Sequence, residues 1–388
     1  MRRRQVLSLL GGAALAPLAS LAARAEAPEG CGLPAAQADG WPVAAIDEDR
    51  LIDRAALCRM ADRLAGSANV HAVVVARGGR LVFERYFRGA DERPGRIYGS
   101  RAETLSFDAD TLHDMKSVSK SVAALAVGVA LDRGLIPGVD EPVWSFFPEL
   151  SDLRSDGREN IRLSHVLTMS MGLDWVEATP ATGDFNNDEA RTWLAWDPCR
   201  YVLSRAVKAP PGREFLYNTG ALMLVSAIIG KATGAPLDEF ARETLFEPMG
   251  ITGAQWRRFR GYTDAGGGLH LRPRDMAKIG QLVLAGGRWG DRQLVSKAWI
   301  ETSTAPKLDA TQGQSYGYLW WLGGHRLKRR EVRWIGALGR GGQSIRIVPE
   351  LDLVVAVTAG YYQDYSPRAF QTQYDVFSDV LRATSVPG

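Results

Sequence analysis

The chain has 388 residues, 46% of them hydrophobic and 23% charged, with a formal net charge of +3 at pH 7. That length and balance allow a large buried core in one large or two moderate domains, and they exclude a disordered or low-complexity chain. No stripe of Lys and Arg interleaved with aromatic residues occurs, which argues against a nucleic-acid partner.

In chain order, the first element is a leader. Arg2, Arg3 and Arg4 precede an apolar run from Val6 to about Ala23, and Ala23-Arg24-Ala25 offers small residues at a cleavage site. Residues 1–25 read as an export signal peptide, and Arg3-Arg4-Gln5-Val6-Leu7 resembles the twin-arginine type with Val6 where Phe is usual. Gly11, Gly12 and Pro17 interrupt the run, which counts against a retained membrane anchor. The leader holds four arginines and no acid, so its loss takes the charge from +3 to −1. A periplasmic or secreted location is expected. Cys31, Cys58 and Cys199 show no metal-ligand spacing; a Cys31–Cys58 disulfide suits an oxidising compartment, with idle thiols as the alternative.

Residues 26–45 mix Pro, Gly and Ala without periodicity and are expected to form an extended arm. Ile46–Ala65 places Leu51, Ala55, Cys58 and Leu64 near one helical face, ahead of Gly66. His71–Ala76 and Arg80–Phe87, joined by Gly78-Gly79, read as a β-hairpin. Helical patterns follow at Ser117–Arg133, Ser164–Met169, Ala190–Ser204, Thr219–Thr233, Asp238–Leu245 and Arg274–Leu284. Arg326–Arg330 reads as a solvated loop. Strand signals return at Gln343–Val348 and Asp352–Thr358, and a last helix is expected at Arg368–Ala383.

The strands thus lie at the two ends of the chain. They must pair across a helical insertion, giving an α/β (α+β) fold: a mostly antiparallel sheet flanked by the first and last helices, with an inserted helical lobe. The expected division is a discontinuous α/β domain at 46–135 and 265–388 and a mainly helical domain at 136–264. A ligand is expected in the cleft between them.

Ser117-Val118-Ser119-Lys120 opens a strongly apolar helix, and Ser117 and Lys120, three apart, share one face. A serine hydroxyl needs a base within hydrogen-bond reach, and a desolvated lysine can become that base. The Ser117 backbone N–H, at a helix start, suits a developing oxyanion. A lysine lying along an ordinary helix would show the same local pattern. Further on, Tyr217 and Asn218 stand at another helix entrance, where a phenol can relay a proton if a cation such as Lys120 stabilises its anion. Without chemistry, the same pair is a packed tyrosine and a helix cap. Gly339-Arg340-Gly341-Gly342-Gln343 precedes a strand, so its backbone could approach a substrate and the Gln343 N–H could complete an oxyanion hole. A flexible turn is the alternative.

Taken in this order, Ser-x-x-Lys, a Tyr-Asn element and a glycine-rich strand start resemble the serine hydrolase superfamily of class C β-lactamases, penicillin-binding proteins and related esterases and amidases. The likeness spans about residues 45–380 and includes Leu163–Gly172, Gly267–Met276 and Val348–Val355. It implies a β-lactamase/transpeptidase-like fold and an acyl-enzyme formed on Ser117, with Lys120 and Tyr217 moving protons and no cofactor or metal. The family Tyr-x-Asn stands here as Tyr217-Asn218-Thr219, and its Lys-Thr-Gly as Arg340-Gly341-Gly342, which leaves Asn218, Arg340, Gly341 and Gly342 as substrate-binding candidates. These forms are closer to the esterase and 6-aminohexanoate-dimer-hydrolase-like branch, so a small ester or amide is the expected substrate, with a lactam as a further option.

Other chemistries find less support. No Gly-x-Ser-x-Gly elbow occurs, and the five histidines, His71, His113, His165, His270 and His325, lack zinc-ligand spacing. The eleven tryptophans, including Trp175, Trp193, Trp196, Trp256, Trp320 and Trp321, could line an apolar pocket, with the core as the expected place for most. The rival from another class is a non-catalytic penicillin- or peptidoglycan-binding sensor, and the alternatives within the class are a true class C-like β-lactamase or a D-peptidase. No stable membrane anchor is expected after signal cleavage, and oligomeric state is not legible.

Overall fold

The computed structural model describes residues 31–44, 51–66, 69–91, 103–177, 186–311, 313–327, 330–364 and 366–384. The leader therefore lies outside the described residues. Gly32–Gly388 form one compact unit.

Its centre is an eight-stranded antiparallel sheet. In chain order the strands are β1 (Val70–Arg77), β2 (Arg80–Tyr86), β3 (Leu308–Asp309), β4 (Ser315–Tyr316), β5 (Trp321–Leu327), β6 (Arg330–Gly339), β7 (Gln343–Val348) and β8 (Leu353–Ala359). In space the order is β3-β4-β5-β6-β7-β8-β1-β2, so the two ends of the chain meet where β1 pairs with β8. The expected discontinuous sheet is present, and it is larger than expected. Of the Arg326–Arg330 segment, which read as a loop, residues 328–329 lie outside the described residues, and the exposed Arg326 and Arg330 belong to the paired strands β5 and β6. Gly78 and Gly79, both at positive φ, make the β1–β2 turn.

Helix α1 (Arg54–Ala65) begins later than expected, because Asp53 caps it by accepting a hydrogen bond from Ala56 N at 3.0 Å. It packs against the last helix, whose range Arg368–Ala383 matches the sequence reading. The described part of the arm runs along β2, with Leu81 N donating to Pro42 O and Ala44 N to Leu81 O. Cys31 and Cys58 are disulfide-bonded and Cys199 is a buried free thiol.

On the other sheet face lie α2 (Val118–Asp132) and the helix Pro273–Leu284. Gly280 permits that second contact: a β-carbon there would come within 2.5 Å of Val354. Helix α2 is buried along nearly its whole length, so it carries no polar face and passes through the core. The expected helix Ala190–Ser204 is two, α3 (Asp188–Leu194) and Pro198–Leu203, because Pro198 starts a new helix capped by Asp197. Helix α4 (Ala221–Thr233) follows. One hydrophobic core runs from the sheet through α2 into α4 and the helices around it.

Candidate active site

The turn before α2 aims Ser117. Lys116 adopts φ +47, a left-handed conformation that costs a non-glycine residue on the order of 1 kcal/mol. It is held by its amide bond to Asp114 Oδ1 at 2.9 Å and by the Lys116–Asp114 ion pair at 2.8 Å. Ser117 starts α2 without using its hydroxyl as a cap, so the hydroxyl is free for other partners. It remains half-buried, on the accessible side of the helix start.

Lys120 lies one turn deeper and is buried. Its Nζ donates to Ser117 Oγ at 2.9 Å and to Gly266 O at 2.7 Å, and sits 5.0 Å from the centre of the Tyr217 ring. Burial lowers the Lys120 pKa below that of an ordinary lysine, against the opposing pull of Glu177, Glu189 and Asp264. Burial pushes the Tyr217 phenol well above the ordinary range and Glu177 adds to the push, which the neighbouring Ser117 hydroxyl only partly offsets. Tyr217 is therefore a resident phenol rather than an anion. Trp321 stacks on it with ring centres 6.1 Å apart, and Phe215 and Tyr316 close the aromatic wall. Trp320, next in the chain, is core.

Ser117, Lys120 and Tyr217 thus converge. The other candidates do not join them. Asn218 is buried and its Oδ1 accepts from Ala221 N at 2.9 Å, at the entrance of α4. Gly341 and Gly342, at φ +84 and +92, pack against Tyr362 and Ala359, so their lack of a β-carbon serves the hairpin turn. Gln343 is fully buried in β7, one strand away from the Ser117 side of the sheet, and its side chain donates to Ala359 O. The strand that meets Ser117 is β6. A β-carbon on Gly339 would lie 2.4 Å from Met115 O and 3.4 Å from Ser117 N, so only glycine lets this backbone approach the nucleophile. Arg340, half-buried, is the first residue beyond it.

Sequence reasoning missed Glu177 and Thr219. The Glu177 carboxylate accepts hydrogen bonds from Thr219 N at 2.6 Å, from Trp175 Nε1 at 2.8 Å and from the Thr219 hydroxyl. Thr219 stands two after Tyr217, where the family asparagine was sought, so that offset was the available signal. Of the five histidines, His71 and His113 are buried, and His71 stacks on Phe107 at 3.7 Å. Among the described residues no group of three or more His, Cys, Asp or Glu side chains is arranged to hold a metal ion.

A nucleophile, a buried amine and a phenol beside a glycine-lined strand, on this mixed fold, define a serine hydrolase. The β-lactamase family model matches residues 57–374, and the chain belongs to that family. It is 25% identical over 335 residues to a 6-aminohexanoate-dimer hydrolase of Paenarthrobacter ureafaciens, covering 80% of this chain and 78% of that one. It is 28% identical over 196 residues to esterase EstB of Burkholderia gladioli, covering 49% and 46% of the two chains. Among solved structures, a class C β-lactamase from Rhodobacter sphaeroides superposes with a TM-score of 0.59 at 17% identity, covering 84% of this chain and 99% of that one.

Proposed function

We propose that the protein hydrolyses a small carboxylic ester or amide through an acyl-enzyme on Ser117. The observation that carries this reading is the 2.9 Å contact between Ser117 Oγ and the buried Lys120 Nζ, with the Tyr217 ring centre 5.0 Å from the same amine. As a neutral amine, Lys120 takes the Ser117 proton while Oγ bonds to the carbonyl carbon. The carbonyl π pair moves to oxygen, facing the Ser117 N–H and a backbone donor on β6 at Gly339–Arg340. The carbon–leaving-group bond then breaks. Tyr217 protonates the departing oxygen or nitrogen and recovers its proton from Lys120. Water repeats the sequence and frees the acid.

The named relatives support the ester and amide classes, while Arg340, a bidentate donor to carboxylates, leaves carboxylated substrates open. Turnover of p-nitrophenyl butyrate should vanish in Ser117→Ala, and a fluorophosphonate should label Ser117 alone. Equal rates in the two proteins would remove Ser117 from the chemistry. Nitrocefin hydrolysis should stay far below ester hydrolysis.

We also propose that the protein acts after export, as a periplasmic or secreted enzyme on a small acyl substrate. The arginine-led apolar leader and the disulfide-bonded Cys31 and Cys58 support this location. Amino-terminal sequencing of the mature protein should begin near Glu26; an intact Met1 on a cytoplasmic product contradicts it.

A further inference from the structure

Among the described residues, Glu177 is a carboxylate near the catalytic group that is held by neutral donors and has no ion pair. It is gripped by Thr219 N, the Thr219 hydroxyl and Trp175 Nε1, while its own backbone carbonyl accepts from Asn187 Nδ2 at 2.7 Å. Neutral donors fix a carboxylate without cancelling its charge. Thr219 in turn packs directly on Gly266, where a β-carbon would meet its methyl at 2.6 Å, and the Gly266 carbonyl holds Lys120 at 2.7 Å. Contacts therefore run unbroken from Glu177 through Thr219 and Gly266 to the amine, and Thr219 is two residues from Tyr217.

We propose that Glu177 is a positioning residue that sets the pH at which Lys120 becomes a base and tethers the Tyr217 loop to it, a role that presupposes the acyl-enzyme chemistry proposed above. The fixed negative charge opposes the proton loss that burial promotes, so the amine titrates nearer the working pH than burial alone would place it. The same charge favours the protonated Tyr217 phenol. Other charged groups face Lys120. Asp264, from the loop ahead of strand Leu269–Leu271, is paired with Arg257 at 2.5 Å. Glu189 reaches it from α3, and Lys116, at the turn before Ser117, is engaged by Asp114. Tyr217 lies over it from the loop before α4. Glu177 differs from Asp264 and Asp114 in having no cationic partner among the described ion pairs, and from Glu189 in being bonded to the Tyr217 loop itself.

The test is kcat/KM against pH, on p-nitrophenyl butyrate, for the full chain and its variants. A negative charge raises a neighbouring ammonium pKa, so Glu177→Gln should move the acidic limb to lower pH by about one unit. Glu177→Asp, which keeps the charge, should bring the limb back toward wild type even if kcat stays low. Thr219→Val removes one donor and lets the carboxylate swing toward solvent, and should shift the limb the same way by less. Coincident acidic limbs in Glu177→Gln and wild type overturn the proposal, whatever happens to kcat. Should Glu177→Gln fail to fold, an unmoved limb in Thr219→Val overturns it instead. Turnover surviving in Ser117→Ala would sink the acyl-enzyme reading itself, a distinct outcome.

Discussion

At the scale of single residues, environment assigns the proton roles. Lys120 and Tyr217 are both pushed by burial, and burial disfavours charge in each: the amine loses its proton more readily and the phenol keeps it. In the proposed reaction Lys120 is therefore the base and Tyr217 the acid, whereas the sequence alone left Tyr217 open as an anion that accepts the Ser117 proton. A consequence follows for leaving groups. Tyr217→Phe should lower kcat on an alkyl ester or anilide by roughly 10²–10³-fold, the range of general acid catalysis, and should barely affect a p-nitrophenyl ester, whose phenolate leaves without a proton. Steady-state kinetics on the two substrate types measure the difference; equal losses on both would make Tyr217 a packing residue. Ser117 and Lys120 were legible because one helical turn fixes their proximity. Glu177 and Gly339 were not, because their relation to Ser117 depends on which strand and which loop pass the start of α2.

Among elements, local signals located helices and hairpins and missed where polar faces ended. Asp53 stops α1 from beginning at Ile46, and Pro198 divides the Ala190–Ser204 pattern, both through backbone hydrogen-bonding rather than hydrophobic period. Strands β5 and β6 escaped notice because Gly323, Gly324, His325 and Arg326 break the apolar pattern of β5, and the charged residues around its end hide the hairpin. Yet β6 is the strand that brings Gly339 to Ser117. The glycine-rich segment was found and its use was misplaced by one strand: Gly341, Gly342 and Gln343 belong to the turn and to β7.

For the whole molecule, the strands from the two chain ends and the catalytic turn are bound by an aromatic cluster under the site. His71 on β1 and His113, just before the Asp114–Lys116 turn, lie with ring centres 5.4 Å apart, and Phe107 stacks on His71. Burial lowers the His71 pKa to about 4 and that of His113 to about 3. Folding therefore holds both rings neutral where the unfolded chain, titrating near 6.5, would bind protons. Their contribution to stability is complete above about pH 6.5, declines as pH falls through the window down to about 4 and 3, and is then lost; for His71 alone it is on the order of 3 kcal/mol. The melting temperature should accordingly fall between pH 6.5 and 4, and by less in His71→Asn than in wild type. A flat profile across that window would mean that these rings are not buried as a neutral pair.

Local chemistry written in the chain determined the family likeness, the strand segments at the chain ends, the helix carrying Ser117 and Lys120, and the entrance position of Tyr217, since each depends on neighbours within a few residues. Only the tertiary structure decided that Asn218 is buried at the entrance of α4, that β6 rather than β7 lines the nucleophile, and that Glu177 stands behind Thr219. Those facts depend on long-range packing, where one strand's displacement or one residue's offset turns a side chain from the site to the core.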